Sequence, residues 1–180
     1  LPEIFKEQPD ALVIGCYPRT MKLLIGQIPG DPVNTLSFRY LNLIDSSPED
    51  ALEQINSFCP YQTGNPEIRE IREDTGWQSW FPVIDYSRCT SCSQCADFCL
   101  FGVYDKTLGK ITVVNPKGCK DQCPACARIC PATAIIFPKY KRGGAVGGSD
   151  DIDEKAELQR QTRDIESILG EDIYLALQKR

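Results

Sequence analysis

Two cysteine-rich stretches decide the fold: residues 89–99 read CTSCSQCADFC, and residues 119–131 read CKDQCPACARICP. Each stretch contains four cysteines, and the offset between corresponding cysteines is nearly constant from Cys89 and Cys119 to Cys99 and Cys130. The flanking sequence repeats as well, because residues 83–85 (VID) precede the first stretch as residues 113–115 (VVN) precede the second. This pattern predicts a duplicated unit with pseudo-twofold symmetry.

The spacing within each stretch is typical of iron–sulfur ligands. A cubane 4Fe-4S cluster takes four thiolates in a tetrahedral arrangement, and short spacings let one tight loop supply three of them. The fourth thiolate must then come from elsewhere in the chain. Paired Cys-x2-Cys spacings also serve zinc sites, but zinc ribbons keep their cysteine pairs well apart. Structural disulfides are a weaker alternative, because nothing in the sequence directs the chain to an oxidising compartment.

On these cysteine runs, and on Pro131 after the second, residues 82–138 resemble the bacterial dicluster ferredoxin family. The resemblance implies a ferredoxin-like α+β fold with two antiparallel strand pairs and short helices, two 4Fe-4S clusters, and electron transfer between them. It also implies crossed ligands, because the last cysteine of each run binds the cluster of the other run. The ligands of the first cluster would be Cys89, Cys92, Cys95 and Cys130. The ligands of the second cluster would be Cys99, Cys119, Cys123 and Cys126.

Two features depart from the family pattern. Leu100 follows Cys99 where the family usually has proline, and three residues rather than two separate Cys119 from Cys123. The first change weakens a turn and the second reshapes a loop, and neither removes a ligand.

Apolar and basic residues surround the two runs. The apolar ones are expected to form the core and to keep water from the sulfurs: Phe98, Leu100, Phe101, Val103, Ile111, Val113, Ile129, Ile135, Ile136 and Phe137. Three basic residues flank the ligands, namely Lys117, Lys120 and Arg128. They are equally well explained as ordinary surface charges or as groups that raise the cluster potentials.

Composition excludes several classes of function. The 180 residues include 10 cysteines and no histidine, so histidine-based catalysis is excluded. A formal net charge of −5 argues against nucleic-acid binding, which needs a basic face to neutralise phosphates. No apolar stretch approaches the roughly 20 residues needed to span a bilayer. The first ten residues also lack the features of a signal peptide, so a cytoplasmic location is expected.

The sequence divides into three parts. Residues 1–80 are expected to form a βαβα segment, residues 81–140 the dicluster ferredoxin domain, and residues 141–180 a glycine-rich linker with a helical tail. In the first part the expected strands are Ala11–Tyr17 and Ser37–Ile44, with helices from Pro18 to about Ile28 and from Pro48 to about Phe58. Two strands are too few for an independent parallel sheet, so this part either packs on the ferredoxin domain or completes a partner's sheet.

The remaining segments carry helix and linker signals. Residues 65–74 favour a short helix, and the neighbouring Trp77 and Trp80 are interpreted as packing residues, with interface anchors as the alternative. Residues 142–149 are rich in glycine and are expected to be a flexible linker. An amphipathic helix should follow, ending near Gly170, with apolar residues at helical spacing at Leu158, Ile165, Ile168 and Leu169. A second short apolar face follows at 173–177. We interpret the tail as a contact for a partner subunit, with packing on its own domain as the alternative.

Two cysteines lie outside the runs. Cys16, at a predicted strand-to-helix turn, is either a thiolate of low pKa, a metal ligand, or a small buried side chain, and Cys59 has no assigned role. The residues CYPR at 16–19 and RYLNL at 39–43 resemble part of the flavoprotein subunit of heterodisulfide reductases. That resemblance implies a subunit that works beside a flavin enzyme. The chain has no dinucleotide-binding glycine motif, so any flavin would belong to a partner.

Three functions follow from these observations. The first is an electron-transfer subunit of a larger cytoplasmic redox complex, paired with a flavin- or metal-containing oxidoreductase subunit. The second is a freely diffusing ferredoxin. The third is an enzyme that uses Cys16, but no nucleophile–base pair or catalytic motif supports it, so we expect no catalytic site in this chain. The roughly 120 residues beyond a minimal ferredoxin domain favour the first function over the second.

Overall fold

The computed structural model describes residues 10–28, 36–59 and 80–169, apart from the side chains of 164–169 and of residue 108. Contacts divide the chain into two compact units, Leu1–Ser79 and Trp80–Arg180. Each unit is considered by itself. The predicted helix at 65–74, Trp77, Gly170 and the apolar face at 173–177 lie outside the described residues.

The N-terminal unit follows the predicted strand–helix–strand–helix order. Its elements are strand β1 (Asp10–Gly15), helix α1 (Pro18–Gly26), strand β2 (Ser37–Asn42) and helix α2 (Pro48–Phe58). The two strands are parallel, and their register runs from Asp10 opposite Ser37 to Gly15 opposite Asn42. This short parallel pair is the sheet found among the described residues of this unit.

Local side chains explain where these elements begin and end. Ser47 caps α2, because its hydroxyl accepts a hydrogen bond from the Asp50 amide at 3.1 Å. Strand β2 ends at Asn42 rather than at the predicted Ile44, since the Asn42 side chain accepts from the Ile44 amide and turns the chain. The capping and proline residues therefore predicted the helix starts correctly, whereas the apolar run placed the end of β2 two residues too late.

The C-terminal unit contains two antiparallel strand pairs and short helices, mixed as the α+β resemblance implies. Its elements are β3 (Val83–Ile84), α3 (Gln94–Phe98), β4 (Tyr104–Asp105), β5 (Thr112–Val113), α4 (Ala125–Ile129), β6 (Ile135–Ile136), α5 (Gly144–Gly147) and α6 (Glu154–Leu169). Strand β3 pairs with β6, and β4 pairs with β5. In the core, the Trp80 ring stacks on the fully buried Phe137 with centroids 5.0 Å apart.

The backbone repeats the sequence duplication. Ser91 and Gln122, each directly before the second cysteine of its run, both take left-handed conformations, with φ of 56° and 58°. Gly102 and Thr133, each in the third position after the last cysteine of its run, do the same at 61° and 50°. Such values are rare for residues other than glycine, so their recurrence at matched positions marks two copies of one loop design.

The glycine-rich segment is packed, contrary to the expected flexible linker. Residues 144–147 form α5, with Ala145, Val146 and Gly147 buried. The Phe137 amide donates to the Val146 carbonyl at 2.7 Å, which ties the segment to the chain just after β6. Small residues allow this close backbone approach, so here glycine serves packing rather than freedom of motion.

Helix α6 packs on the cysteine-rich unit. Asp153 caps its start by accepting hydrogen bonds from the Lys155 and Ala156 amides. Gln161 is 8% exposed, and Arg88 bonds to Glu154 near the beginning of the helix. Leu158 of the predicted stripe is exposed, and the side chains of the other three stripe residues lie outside the described set. The described turns of α6 thus belong to this unit, as in the alternative interpretation of the tail.

No helix in the described ranges is both long and apolar enough to cross a membrane.

Candidate metal centre

The eight cysteines of the two runs separate into two sets of four, and each set lines one cavity. The first cavity, of about 20 Å³, is lined by Cys89, Cys92, Cys95 and Cys130. The second cavity, of about 490 Å³, is lined by Cys99, Cys119, Cys123 and Cys126. The last cysteine of each run therefore faces the cavity of the other run. These are the two sets that the family resemblance implies, and their role as ligands stays a prediction.

Helices α3 and α4 produce this crossed arrangement. Cys95 lies in α3 and Cys99 caps its C-terminus, while Cys126 lies in α4 and Cys130 caps its C-terminus. Four residues of helix advance the chain by about 6 Å, so one turn carries it from one cavity to the other. Within the described part of the chain, no three cysteine or carboxylate side chains lie close enough together to hold a single metal ion.

The sulfurs accept hydrogen bonds from both backbone and side chain. The Ala134 amide donates to Cys130 Sγ at 3.3 Å, at the first cavity. The Tyr104 hydroxyl donates to Cys126 Sγ at 3.0 Å, at the second cavity. Hydrogen bonds to a thiolate stabilise its charge, and outer-shell partners of this kind orient metal ligands.

Burial disfavours the charged form of several of these cysteines. It raises the pKa of Cys95 to about 11, and the nearby Cys130, Cys89 and Cys92 contribute to the rise. Burial raises the pKa of Cys126 to about 12, although the bond from Tyr104 opposes the shift. Since a thiol that coordinates a metal is deprotonated and releases its proton to solvent, iron would supply the positive charge that these buried sulfurs lack. The donor set fits an iron–sulfur cluster in number and type, and Cys95, Cys126 and Cys130 are also buried.

Burial also raises the pKa of Cys119 to about 11, with contributions from Cys123, Cys99 and Asp121. The pKa of the Tyr104 hydroxyl is raised by burial and by the neighbouring Cys126. The hydroxyl therefore keeps its proton and acts as a donor. Tyr104 was not identified from the sequence as a residue of the second cavity. The duplication matches Tyr104 with Ile135, and the difference between these two side chains could have indicated it.

The apolar surroundings match the expected core only in part. Val103, Ile111, Ile135, Ile136 and Phe137 are buried, as predicted. In contrast, three residues expected in the core are exposed: Phe98 at 49%, Leu100 at 91% and Phe101 at 44%. All three line the second cavity. They are exposed because α3 ends at Phe98 and the chain then turns at the surface before Gly102, which has a φ of 61°.

The two remaining cysteines, Cys16 and Cys59, belong to the N-terminal unit. Cys16 is half-buried, and this burial raises the pKa of its thiol, so the low-pKa thiolate considered for it is wrong. Cys59 is exposed at the end of α2. The metal ligand and the small buried side chain stay as the two interpretations of Cys16.

Two proteins of Methanocaldococcus jannaschii are similar to this chain. One is the uncharacterized ferredoxin MJ0251, 48% identical over 64 residues, which make up 35% of this chain and 44% of that protein. The other is the pyruvate synthase subunit PorD, 30% identical over 76 residues, which make up 42% of this chain and 83% of that subunit. The chain belongs to the ferredoxin family. This ferredoxin matches less than half of the length of MJ0251 and most of PorD. No family model matches it.

Proposed function

We propose that this ferredoxin binds two 4Fe-4S clusters and transfers single electrons through them. The supporting observation is the separation of eight cysteines into two sets of four, each around its own cavity. Four thiolates around a cavity suit a four-iron cubane, whose ligands sit at the corners of a group larger than one ion. The first cluster is assigned to Cys89, Cys92, Cys95 and Cys130. The second cluster is assigned to Cys99, Cys119, Cys123 and Cys126.

The residues of this chain prepare the two sites for electron transfer. When bound, such clusters supply reversible one-electron redox chemistry. Ile84, Ile111 and Ile135 line the first cavity and give it an apolar wall beside the buried Cys95 and Cys130. Cys95 and Cys99 face different cavities from the two ends of one helical turn, which supports short transfer between the sites.

We further propose that the protein is a subunit of a larger cytoplasmic redox complex, beside a flavin- or metal-containing oxidoreductase subunit. PorD, most of whose length this ferredoxin matches, is named as a subunit of pyruvate synthase. The short parallel strand pair of the N-terminal unit supports the same proposal, because parallel sheets are normally larger and covered on both faces. The resemblance of residues 11–43 to a heterodisulfide reductase flavoprotein subunit favours a flavin enzyme as the neighbour.

Iron loading tests the cluster assignment. Anaerobic reconstitution of the full chain should give a brown protein with about eight irons and eight sulfides, bleached by dithionite. Cys92→Ala should reduce the iron to about four per chain or fewer, because it removes one ligand of the first cluster. Cys59→Ala is the matched control, since both cysteines are exposed and only Cys92 lines a cavity. A colourless protein with stoichiometric zinc, or equal iron in all three proteins, would contradict the assignment.

Purification from the source organism tests the subunit proposal separately. The native protein should elute with at least one larger redox subunit, and that subunit should contain the flavin or metal. A monomer that exchanges electrons with its donor and acceptor at the full native rate would instead identify a freely diffusing ferredoxin.

A further inference from the structure

The duplication provides an internal comparison between the two cavities. Tyr104 and Ile135 occupy matched positions of the repeat, each at the start of the first strand after its cysteine run. Tyr104 lines the second cavity, and Ile135 lines the first. The two sites are therefore alike in their cysteines and different in the side chain at this position.

Because of this difference, one candidate ligand accepts a side-chain hydrogen bond that the matched position of the first cavity does not provide. The Tyr104 hydroxyl lies 3.0 Å from Sγ of Cys126, which is 8% exposed. Ile135, at the matched position, has no polar atom to donate. A phenol is protonated near neutral pH, so the Tyr104 hydroxyl can donate its hydrogen. The Cys126 sulfur, once deprotonated, has no hydrogen of its own and acts only as an acceptor.

The backbone holds the Tyr104 side chain in this position. Strand β4 pairs with β5, with Tyr104 opposite Val113. Tyr104 also packs against the buried core of the unit. A hydroxyl on a two-torsion side chain, anchored in a strand pair, is aimed at the sulfur with little freedom to turn away.

We propose that Tyr104 raises the reduction potential of the second cluster by donating this hydrogen bond to Cys126, and so makes the two clusters inequivalent. The inference rests on the proposed function. Reduction adds negative charge to the cluster and its sulfurs, and a hydrogen bond to sulfur stabilises the more negative state more strongly. Tyr104 acts on the cluster through the Cys126 sulfur, so it is a positioning residue and not a ligand.

Other charges at the second cavity act in both directions. Asp97 and Lys120 line it, and Asp121 lies near Cys119. Carboxylates lower a cluster potential and ammonium groups raise it. A substitution confined to Tyr104 leaves all of these in place, so it isolates the hydroxyl.

The test is a redox titration of the reconstituted full chain, followed by EPR. Tyr104→Phe should shift one of the two reduction steps to lower potential and leave the other unchanged. An exchangeable proton coupled to one reduced cluster, detected by pulsed EPR in H2O against D2O, should also disappear. Ile135→Val is the matched control: it trims the corresponding position without changing a hydrogen bond, and both steps and the coupling should stay.

A second variant guards against a packing effect of the missing oxygen. Site-specific 3-fluorotyrosine at position 104 keeps the ring and strengthens the donor, so it should move the same step to higher potential. Equal shifts of both steps, no shift, or shifts of the same sign in the two variants would overturn the inference.

The outcomes also separate this inference from the proposed function. Two clusters with unmoved potentials would reject only the role of Tyr104. A wild-type chain that loads about four irons or fewer would reject the two-cluster proposal and the inference with it.

Discussion

Apolar residues beside the cysteine runs differ widely in burial, from Phe137 at 0% exposed to Leu100 at 91%. The Phe137 ring stacks on the Trp80 ring in the core. Leu100 occupies the position where the family usually has proline, and it lies on the surface beside the second cavity. Side chains of the same chemical class thus have different roles in this ferredoxin, in the core and at the rim of a candidate site.

Substitution of two phenylalanines should separate these roles. Phe137→Ala should lower the free energy of unfolding by about 3–5 kcal/mol, because it removes a fully buried ring and leaves a cavity. Phe101→Ala is the matched control, and it should change the same quantity by less than about 1 kcal/mol, since that ring is 44% exposed. The measurement is the denaturant midpoint of the loaded protein, followed by its visible absorbance. Equal shifts for both variants would contradict the assignment of Phe137 to the core.

At the residue scale, the spacing of the cysteines carried more information than the hydrophobicity of their neighbours. The crossed sets were implied by the family resemblance of the cysteine runs, and the structure groups the same residues around two cavities. Sequence reasoning was wrong for Phe98, Leu100 and Phe101, because hydrophobicity does not reveal on which side of a turn a residue lies. It missed Tyr104, because a hydrogen bond between side chains far apart in the chain has no periodic signature.

At the scale of elements, helix α6 also has features that the sequence predicts and features that it does not. Asp153, one of four acidic residues at 150–154, caps its start. Its buried contact was not predicted, because an apolar stripe says nothing about the polar residues between its members. Gln161 is buried and its amide donates to the Cys130 carbonyl at 2.7 Å. A buried amide of this kind is satisfied only by the tertiary structure, which a helical pattern cannot show.

Loss of this contact should destabilise the region around Cys130. Gln161→Ala removes one of two hydrogen bonds to the Cys130 carbonyl, which keeps the Thr133 amide as a donor, and should cost about 0.5–1.5 kcal/mol in unfolding free energy. Gln159→Ala is the matched control on the same helix, because Gln159 is exposed and the change in helix propensity is identical. Hydrogen exchange of the α4 and β6 amides should quicken in the first variant alone. Equal exchange in the two variants would show that α6 does not stabilise this region through Gln161.

At the scale of the whole C-terminal unit, the cysteines are part of the core as well as candidate ligands. Cys95, Cys126 and Cys130 are buried in one cluster with Trp80 and Phe137. The duplication predicted from the sequence appears as paired left-handed residues and as two strand pairs. The packing of the glycine-rich segment was not foreseen, since glycine is compatible with both a linker and a close backbone contact.

Removal of iron should therefore unfold both strand pairs together. Each cluster would draw ligands from both cysteine runs, so losing either one frees a helix end that also borders the other cavity. Buried thiols with raised pKa values would remain in the core without the metal that favours them. Anaerobic chelation of the loaded chain should abolish hydrogen-exchange protection at β3–β6 and β4–β5 in one transition.

Restoring iron and sulfide provides the control for this experiment, because protection at both pairs should return with the visible absorbance. The strands of both pairs are very short, and two-stranded pairs of that size are not stable alone in water. The stability of the two strand pairs must therefore come from the core residues and clusters packed between them. If one strand pair kept its protection while the other lost it, the crossed ligands would not couple the two halves. The duplicated unit would then consist of two separate sites rather than one cooperative structure.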